Sequence, residues 1–133
     1  MAVESSVRWA MTDRPTALIV DDDPYIREEL RDALAAWGYA VVEAANGKEA
    51  LKAVGKAVPD IVVTDLMMPE MDGIELILKL RAAHPTLRII ALSGGDAGGY
   101  MGYLDAAGKL GANQTVSKPV DFAALRKAIQ SPG

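Results

Sequence analysis

The chain has 133 residues, of which 50% are apolar and 24% are charged, and this is the composition of one globular domain rather than of a disordered segment. Its 14 basic and 18 acidic side chains give a net charge of −4 without any run of Lys or Arg, so we do not expect direct binding of nucleic acid. The lack of cysteine excludes disulfide scaffolds and thiolate sites, and the single histidine, His84, disfavours a multi-histidine metal site or a Ser-His-Asp triad.

The first 15 residues show no clear periodicity and carry both signs of charge. We therefore predict a flexible N-terminal leader at residues 1–15, followed by one folded domain at residues 16–133. No apolar run approaches the roughly 18 to 20 residues that span a bilayer, and the N-terminus lacks the apolar region of a signal peptide. We expect the protein to be cytoplasmic.

From Ala17 onward, short apolar runs alternate with helical patterns. Asp23 stands directly before Pro24, which predicts a helix N-cap followed by proline at the first helical position. Gly38 is placed to end the same helix. The first half of the domain is therefore predicted to contain a strand at 17–20, a helix at 24–37, a strand at 39–42, a helix at 48–56 and a strand at 60–65.

The second half continues the alternation. Asp72 and Glu75 have the spacing of a capping box and open a helix in which we predict that Ile74, Ile77 and Leu78 share one face. A strand at 88–92 follows, and then a helix around residues 100–110. A more polar strand at 113–116 is expected at an edge of the sheet, and Phe122, Leu125 and Ile129 mark the last helix.

Five strand–helix units fill the domain, and right-handed crossovers place helices on both faces of a parallel sheet. The predicted fold class is therefore α/β, a three-layer α/β/α sandwich around a doubly wound, five-stranded parallel sheet. In such folds, ligands bind beyond the carboxyl ends of the strands, where the direction of winding changes.

The predicted strand ends carry polar groups that suit phosphoryl transfer. Clustered carboxylates stay ionised together only when a cation is shared among them, and oxygen ligands without His or Cys indicate Mg²⁺. A carboxylate nucleophile, a metal, an ammonium and a hydroxyl are the parts of an aspartyl-phosphate site. The groups in question are Asp21, Asp22, Asp23, Asp65, Ser93 and Lys118.

Four segments around these groups resemble the receiver domain of two-component response regulators. The resemblance covers residues 17–130 and implies a flavodoxin-like receiver fold. The segments are Leu18-Ile-Val-Asp-Asp-Asp-Pro24, Val63-Thr-Asp-Leu-Met-Met-Pro-Glu-Met-Asp-Gly73, Ala91-Leu-Ser-Gly94 and Ser117-Lys-Pro119.

The resemblance implies that Asp65 is the phosphoacceptor. It also implies a magnesium site formed by Asp21, Asp22 and Asp65 together with the backbone carbonyl of Met67. The phosphoryl donor would be a phosphohistidine in a sensor histidine kinase or in a histidine phosphotransfer protein. The domain itself would not be an enzyme beyond its own phosphorylation and slow autodephosphorylation.

Further roles are implied for residues near the strand ends. Ser93 would be the switch hydroxyl, and Lys118 would contact the phosphoryl group, followed by a cis bond to Pro119. Receivers usually carry an aromatic switch residue where this chain has Thr115, so the aromatic partner of the usual hydroxyl-to-aromatic switch is missing at this position.

Output would pass by protein contact, either to a downstream target or within a homodimer. The face used would comprise the helix around residues 100–110, the fifth strand and the last helix. The residues that set the dephosphorylation rate in receivers correspond to Met67 and Gly95, and neither offers a polar side chain that could orient water.

Other hypotheses are compatible with parts of the pattern. A haloacid-dehalogenase-like phosphatase would use Asp21 as nucleophile and Asp23 as acid/base, but it needs an acidic pair after the lysine, where only Asp121 follows. A non-phosphorylated pseudo-receiver would act purely as an interaction module, and it would normally have lost a pocket residue. A purely structural Asp65 at the end of a buried strand would need a basic partner, for which Lys118 is the candidate.

Overall fold

The computed structural model describes residues 14–68, 71–93, 108–109 and 111–131. The helix predicted around residues 100–110 lies outside the described residues except for 108–109, which are helical. The elements run in the order β1 (Thr16–Val20), α1 (Pro24–Ala36), β2 (Ala40–Ala44), α2 (Gly47–Lys56), β3 (Ile61–Asp65), α3 (Gly73–Ala83), β4 (Arg88–Ser93), β5 (Gln114–Ser117) and α4 (Phe122–Gln130).

The five strands form one parallel sheet in the order β2-β1-β3-β4-β5. The prediction that the fifth strand lies at an edge is confirmed. From β1 the chain winds outward to β2, and it then returns to the other side of β1 to form β3. The winding therefore changes direction between β1 and β3, where a ligand site is expected at the carboxyl ends of the strands.

Alternating side chains of the strands divide the core into two halves. Leu18 and Val62 pack in the half covered by α2 and α3, whereas Ile19 and Val63 pack in the half covered by α1 and α4. All five residues of β3 are buried, because both faces of this central strand are covered. The predicted three-layer α/β/α architecture is confirmed.

The helix starts follow the local sequence closely. Asp23 caps α1 by accepting the backbone N–H of Tyr25 at 2.9 Å, with proline in the first turn as predicted. Asp72 caps α3 by accepting the N–H of Glu75 at 2.9 Å. Gly38 follows α1 with φ 101°, a left-handed conformation that favours glycine.

The predicted apolar face of α3 is partly wrong. Leu78 is 45% exposed, whereas the fully buried leucines of this helix are Leu76 and Leu80. Together with Gly73 and Ile77, these leucines occupy positions i, i+3, i+4 and i+7, which is the stripe that one side of a helix presents to a core.

The second strand also ends later than predicted, at Ala44, because Ala44 pairs with Val20 of β1. Among the described helices, none combines the length and the apolar character that crossing a bilayer requires.

Candidate functional site

Three carboxylates meet where the winding of the sheet changes direction. Asp21 directly follows β1 and is completely buried, Asp65 ends β3 with 4% exposure, and Asp22 is exposed. One oxygen from each carboxylate lies within 4.8 Å of the others. The predicted grouping of these three residues is therefore present in the structure.

Each polar group of Asp21, in the backbone and in the side chain, takes part in a hydrogen bond. Its backbone N–H donates to the carbonyl of Ala44 at 3.2 Å, and its own carbonyl accepts from Nη1 of Arg27 at 2.8 Å. Its Oδ1 accepts the N–H of Asp23 at 2.9 Å, and its Oδ2 accepts from Nζ of Lys118 at 2.8 Å. A buried carboxylate needs such partners, because burying an ion without them is costly.

Lys118 bridges two of the carboxylates. Its Nζ lies 2.8 Å from Oδ2 of Asp21 and 3.2 Å from Oδ2 of Asp65, and its side chain is 14% exposed. Burial alone would lower the pKa of Lys118, but the hydrogen bond and charge of Asp21 and those of Asp65 outweigh it and raise the pKa. The ammonium thus stays charged and offsets part of the negative charge of the cluster.

The carboxyl group of Asp65 has a pKa above its ordinary value. Burial is the main cause and repulsion by Asp21 adds to it, while Lys118 and the N–H of Met67 oppose the rise. That N–H donates to Oδ1 of Asp65 at 3.1 Å. The carboxylate of Asp65 is therefore oriented from two sides, although its ionised form is disfavoured by its surroundings.

Gly73, the first residue of α3, packs directly against the end of β3. A Cβ at this position would lie 2.3 Å from the carbonyl oxygen of Asp65, and the N–H of Gly73 donates to the carbonyl of Leu66 at 2.9 Å. Only glycine permits this close approach of the two backbones. The Asp72–Gly73 pair marks a helix start in the sequence, but it does not indicate that this start supports Asp65.

Ser93 ends β4 and is completely buried. Among the described residues, its Oγ has no hydrogen-bond partner. Its carbonyl accepts the N–H of Lys118 at 2.6 Å, which ties the ends of β4 and β5 together. The bond between Lys118 and Pro119, predicted to be cis, is cis in the structure.

Four further predicted positions are Asp23, Met67, Gly95 and Thr115. Thr115 is an exposed residue of β5, in register with Ala91. The side chain of Met67 is 41% exposed. Asp23 accepts the N–H of Tyr25 as the cap of α1, and Gly95 lies outside the described residues.

The donor set fits a hard divalent cation. The cluster supplies carboxylate oxygens without nitrogen or sulfur, which suits Mg²⁺. Three carboxylates facing one ammonium leave a net negative charge, and a cation would neutralise it. Arg27, which hydrogen-bonds to the Asp21 carbonyl, carries no signal in the sequence that would link it to this site.

Comparison with known proteins is consistent with this geometry. The family model described as "Response regulator receiver domain" matches residues 17–130. Sporulation initiation phosphotransferase F of Bacillus subtilis (strain 168) is 35% identical over 113 residues, covering 85% of this chain and 89% of that protein. Transcriptional regulatory protein GlrR of Escherichia coli (strain K12) is 37% identical over 120 residues, covering 90% of this chain but only 26% of that protein.

Solved structures share the fold. A response regulator receiver domain protein from Clostridium thermocellum superposes with a TM-score of 0.80 at 27% identity, covering 86% of this chain and 90% of that chain.

Several other curated relatives are much longer, and the chain spans 35% of the length of the two mycobacterial regulators MprA and TcrX.

Proposed function

The chain belongs to the response regulator receiver domain family, and from this membership we propose that Asp65 is its phosphoacceptor. Receiver domains of response regulators are signalling modules rather than classical enzymes, and they interact with histidine kinases or phosphotransfer proteins. They bind Mg²⁺ at an aspartate cluster.

The observation that carries the proposal is the position of Asp65 among opposite and like charges. Its Oδ2 lies 3.2 Å from Nζ of Lys118, and one of its oxygens lies within 4.8 Å of oxygens of Asp21 and Asp22. If Asp65 only formed an ion pair with Lys118, two further acids beside it would not be needed. This arrangement suits phosphoryl transfer, in which charge must be neutralised around the transferred group.

In the proposed reaction, an oxygen of Asp65 attacks the phosphorus of a phosphohistidine in line, the bond from phosphorus to the histidine nitrogen breaks, and the imidazole leaves. Lys118 then binds a phosphoryl oxygen through its ammonium group. The hydroxyl of Ser93, which has no partner among the described residues, donates a hydrogen bond to another phosphoryl oxygen.

A bound Mg²⁺, held by Asp21, Asp22 and Asp65 with the carbonyl of Met67, would neutralise charge on the phosphoryl oxygens. The side chains of this chain neutralise the rest of the charge on the phosphoryl oxygens. Lys118 moves from Asp21 and Asp65 toward the new phosphoryl group, because the phosphoryl group carries more negative charge than the carboxylate that it replaces.

Partners and organisation are proposed from family membership. The donor is a sensor histidine kinase or a histidine phosphotransfer protein, and the output surface comprises β5, α4 and the segment around residues 100–110, for which the sequence predicts a helix. This surface would contact a downstream protein or a second copy of the chain. Residues 1–15 are proposed as a leader to the receiver domain at 16–133, and the protein as cytoplasmic.

The haloacid-dehalogenase hypothesis is wrong for this chain, since the family model and the fold both match receivers. Its required acid/base, Asp23, is engaged as the cap of α1. A pseudo-receiver that is not phosphorylated remains a distinct outcome of the experiment below.

Mass measurement after incubation with acetyl phosphate and Mg²⁺ tests the proposal. We expect the native chain to gain one phosphoryl group and the Asp65→Asn variant to gain none, with peptide mapping locating the label on Asp65. A label on Asp21 would contradict the assignment of Asp65, and an unlabelled native chain would indicate a pseudo-receiver.

The same measurement tests the cation. EDTA should abolish labelling, because the carboxylates alone would repel an incoming phosphoryl group. Asp22→Ala should mimic the chelator, whereas Asp32→Ala, which removes an exposed acid of α1, should label normally. Undiminished labelling in EDTA would contradict the metal assignment.

A further inference from the structure

Arg27 contacts the acidic site from α1 without contributing a ligand to it. Its Nη1 donates to the backbone carbonyl of Asp21 at 2.8 Å, and its Nε lies 3.4 Å from Oε1 of Glu43. We propose that Arg27 is a positioning residue that orients the peptide between Asp21 and Asp22 for cation binding. This inference rests on the proposed magnesium-dependent function and names a residue that controls it.

The carbonyl of Asp21 matters because a peptide bond is planar. Its oxygen and the N–H of Asp22 lie in one plane, so fixing the oxygen also fixes the direction in which the chain continues to Asp22. The Asp22 side chain is exposed, and packing therefore does not hold it. The orientation of its backbone decides whether its carboxylate faces Asp21 and Asp65.

The other polar groups of Asp21 already have partners. Its N–H bonds to Ala44, and its side-chain oxygens bond to Asp23 and Lys118. Within the part of the chain that the structure describes, the Arg27 hydrogen bond is the one that constrains the carbonyl side of this residue. Removing the guanidinium would therefore leave the Asp21 side chain in place and would release the peptide that leads to Asp22.

Glu43 in turn fixes the guanidinium of Arg27. The side chains of Arg27 and Glu43 are 20% and 32% exposed, and a planar guanidinium can contact a carbonyl and a carboxylate at once.

Arg31, one turn later, provides a natural comparison. It also bonds to Glu43, at 3.4 Å, but its side chain is 43% exposed and has no hydrogen bond to Asp21 among the described residues.

A charge effect and a positioning effect predict opposite changes in Mg²⁺ affinity when the Arg27 side chain is removed. If the guanidinium acted only through its charge, removing it would tighten Mg²⁺ binding, because like charges repel. If it orients the ligands, removing it weakens binding. Partners that orient metal ligands typically contribute 10- to 100-fold to metal affinity.

The test is calorimetric titration of the full chain with Mg²⁺ at constant ionic strength. We expect the Mg²⁺ dissociation constant to rise about tenfold in Arg27→Met. Arg27→Lys should also bind more weakly, since an ammonium keeps the charge but cannot reproduce the two-sided contact. Arg31→Met is the matched control and should bind at least as tightly as the native chain.

Phosphorylation by acetyl phosphate at varied Mg²⁺ concentration provides a second readout. In Arg27→Met we expect the half-saturating Mg²⁺ concentration to rise while the rate at saturating Mg²⁺ stays near the native rate. A purely structural role would lower the saturating rate and the melting temperature without this separation, and Arg27→Lys would then behave like the native chain.

Native or tighter Mg²⁺ binding by Arg27→Met would overturn this inference alone, provided that the native chain binds Mg²⁺ and is labelled at Asp65. If the native chain neither binds Mg²⁺ nor becomes labelled, the proposed function fails, and the role of Arg27 fails with it.

Discussion

The ammonium nitrogen of Lys118 lies 2.8 Å from Oδ2 of Asp21, in a contact between residues 97 positions apart in the chain. The distance from the same nitrogen to Oδ2 of Asp65 is 3.2 Å. Of these two acids, the one closer to the lysine is thus Asp21, which we propose as a metal ligand only, rather than the proposed phosphoacceptor. Lys118 and a cation bound at the proposed site would therefore share the negative charge of Asp21.

Loss of the Lys118 ammonium should tighten cation binding and destabilise the cation-free domain. Removing one partner of a buried ion pair typically costs about 3–5 kcal/mol, because the remaining charges are left uncompensated. We expect Lys118→Met to lose stability in urea without Mg²⁺ and to regain much of it when Mg²⁺ is added. Lys79→Met, which removes a lysine with 52% exposure, should show neither effect. Equal Mg²⁺ responses in the two variants would contradict this account.

Asp65 should make the resting domain less stable at neutral pH. Burial and then Asp21 raise its pKa, so folding favours its protonated form. The folded state binds more protons between the ordinary and the raised pKa, and stability therefore falls as pH rises through that window. Asp65→Asn should be more stable than the native chain at pH 7, by about 1.4 kcal/mol per unit of pKa elevation.

The stability advantage of Asp65→Asn over the native chain should shrink as the pH falls toward about 4. There the Asp65 carboxyl of the native chain becomes protonated in both the folded and the unfolded state. Urea unfolding without divalent cations, repeated across this pH range, measures it. The Asp32→Asn variant, altered at a side chain with 70% exposure, serves as control. A stability difference that does not change with pH would contradict the prediction.

The Ser93 hydroxyl should destabilise the resting domain slightly. It is completely buried, and its Oγ has no hydrogen-bond partner among the described residues. An unsatisfied buried polar group costs about 1–3 kcal/mol, so Ser93→Ala should unfold at a higher urea concentration than the native chain. Ser117→Ala, at the exposed β5 residue paired with Ser93, should have little effect. A destabilised Ser93→Ala variant would show that the hydroxyl has a stabilising partner at rest.

Phosphorylation should be transmitted through Ser93 to the segment that follows it. The phosphoryl mimic beryllofluoride, bound at Asp65, should draw the Ser93 hydroxyl toward it and bias a two-state equilibrium. We expect slower hydrogen exchange in peptides covering residues 94–104 when beryllofluoride and Mg²⁺ are present. Ser93→Ala should bind the mimic but lose most of this protection, whereas unchanged exchange in the native chain would contradict the prediction.

The phosphorylated domain should be long-lived for a receiver. Hydrolysis requires a water molecule in line with the bond at Asp65, and a nearby polar side chain speeds it by orienting that water. Met67 presents a thioether and Gly95 has no side chain, so neither residue supplies such a group. Met67→Asn should release phosphate faster without losing phosphorylation. Phosphate release from the purified phosphoprotein measures this, and an equal rate in the native chain would contradict it.

Much of the fold follows from local patterns in the sequence. The apolar runs predict the strands, and the Asp23–Pro24 and Asp72–Gly73 pairs predict two helix starts, because capping depends on residues within one turn. The parallel order of strands and helices then places Asp21, Asp65 and Lys118 at one edge of the sheet. Even the pairing of Lys118 with Asp65 follows from the need of a buried carboxylate for a cation.

Only the tertiary structure decides which of these groups touch. The closer contact of Lys118 with Asp21, the guanidinium of Arg27 on the Asp21 carbonyl and the fit of Gly73 against Asp65 all depend on strand order and register. Periodicity reports which side of an element is buried, but it contains no distance between elements. Those distances are set when the sheet closes β1 against β3 and packs α1 and α3 on opposite faces, and the chemistry of the site depends on them.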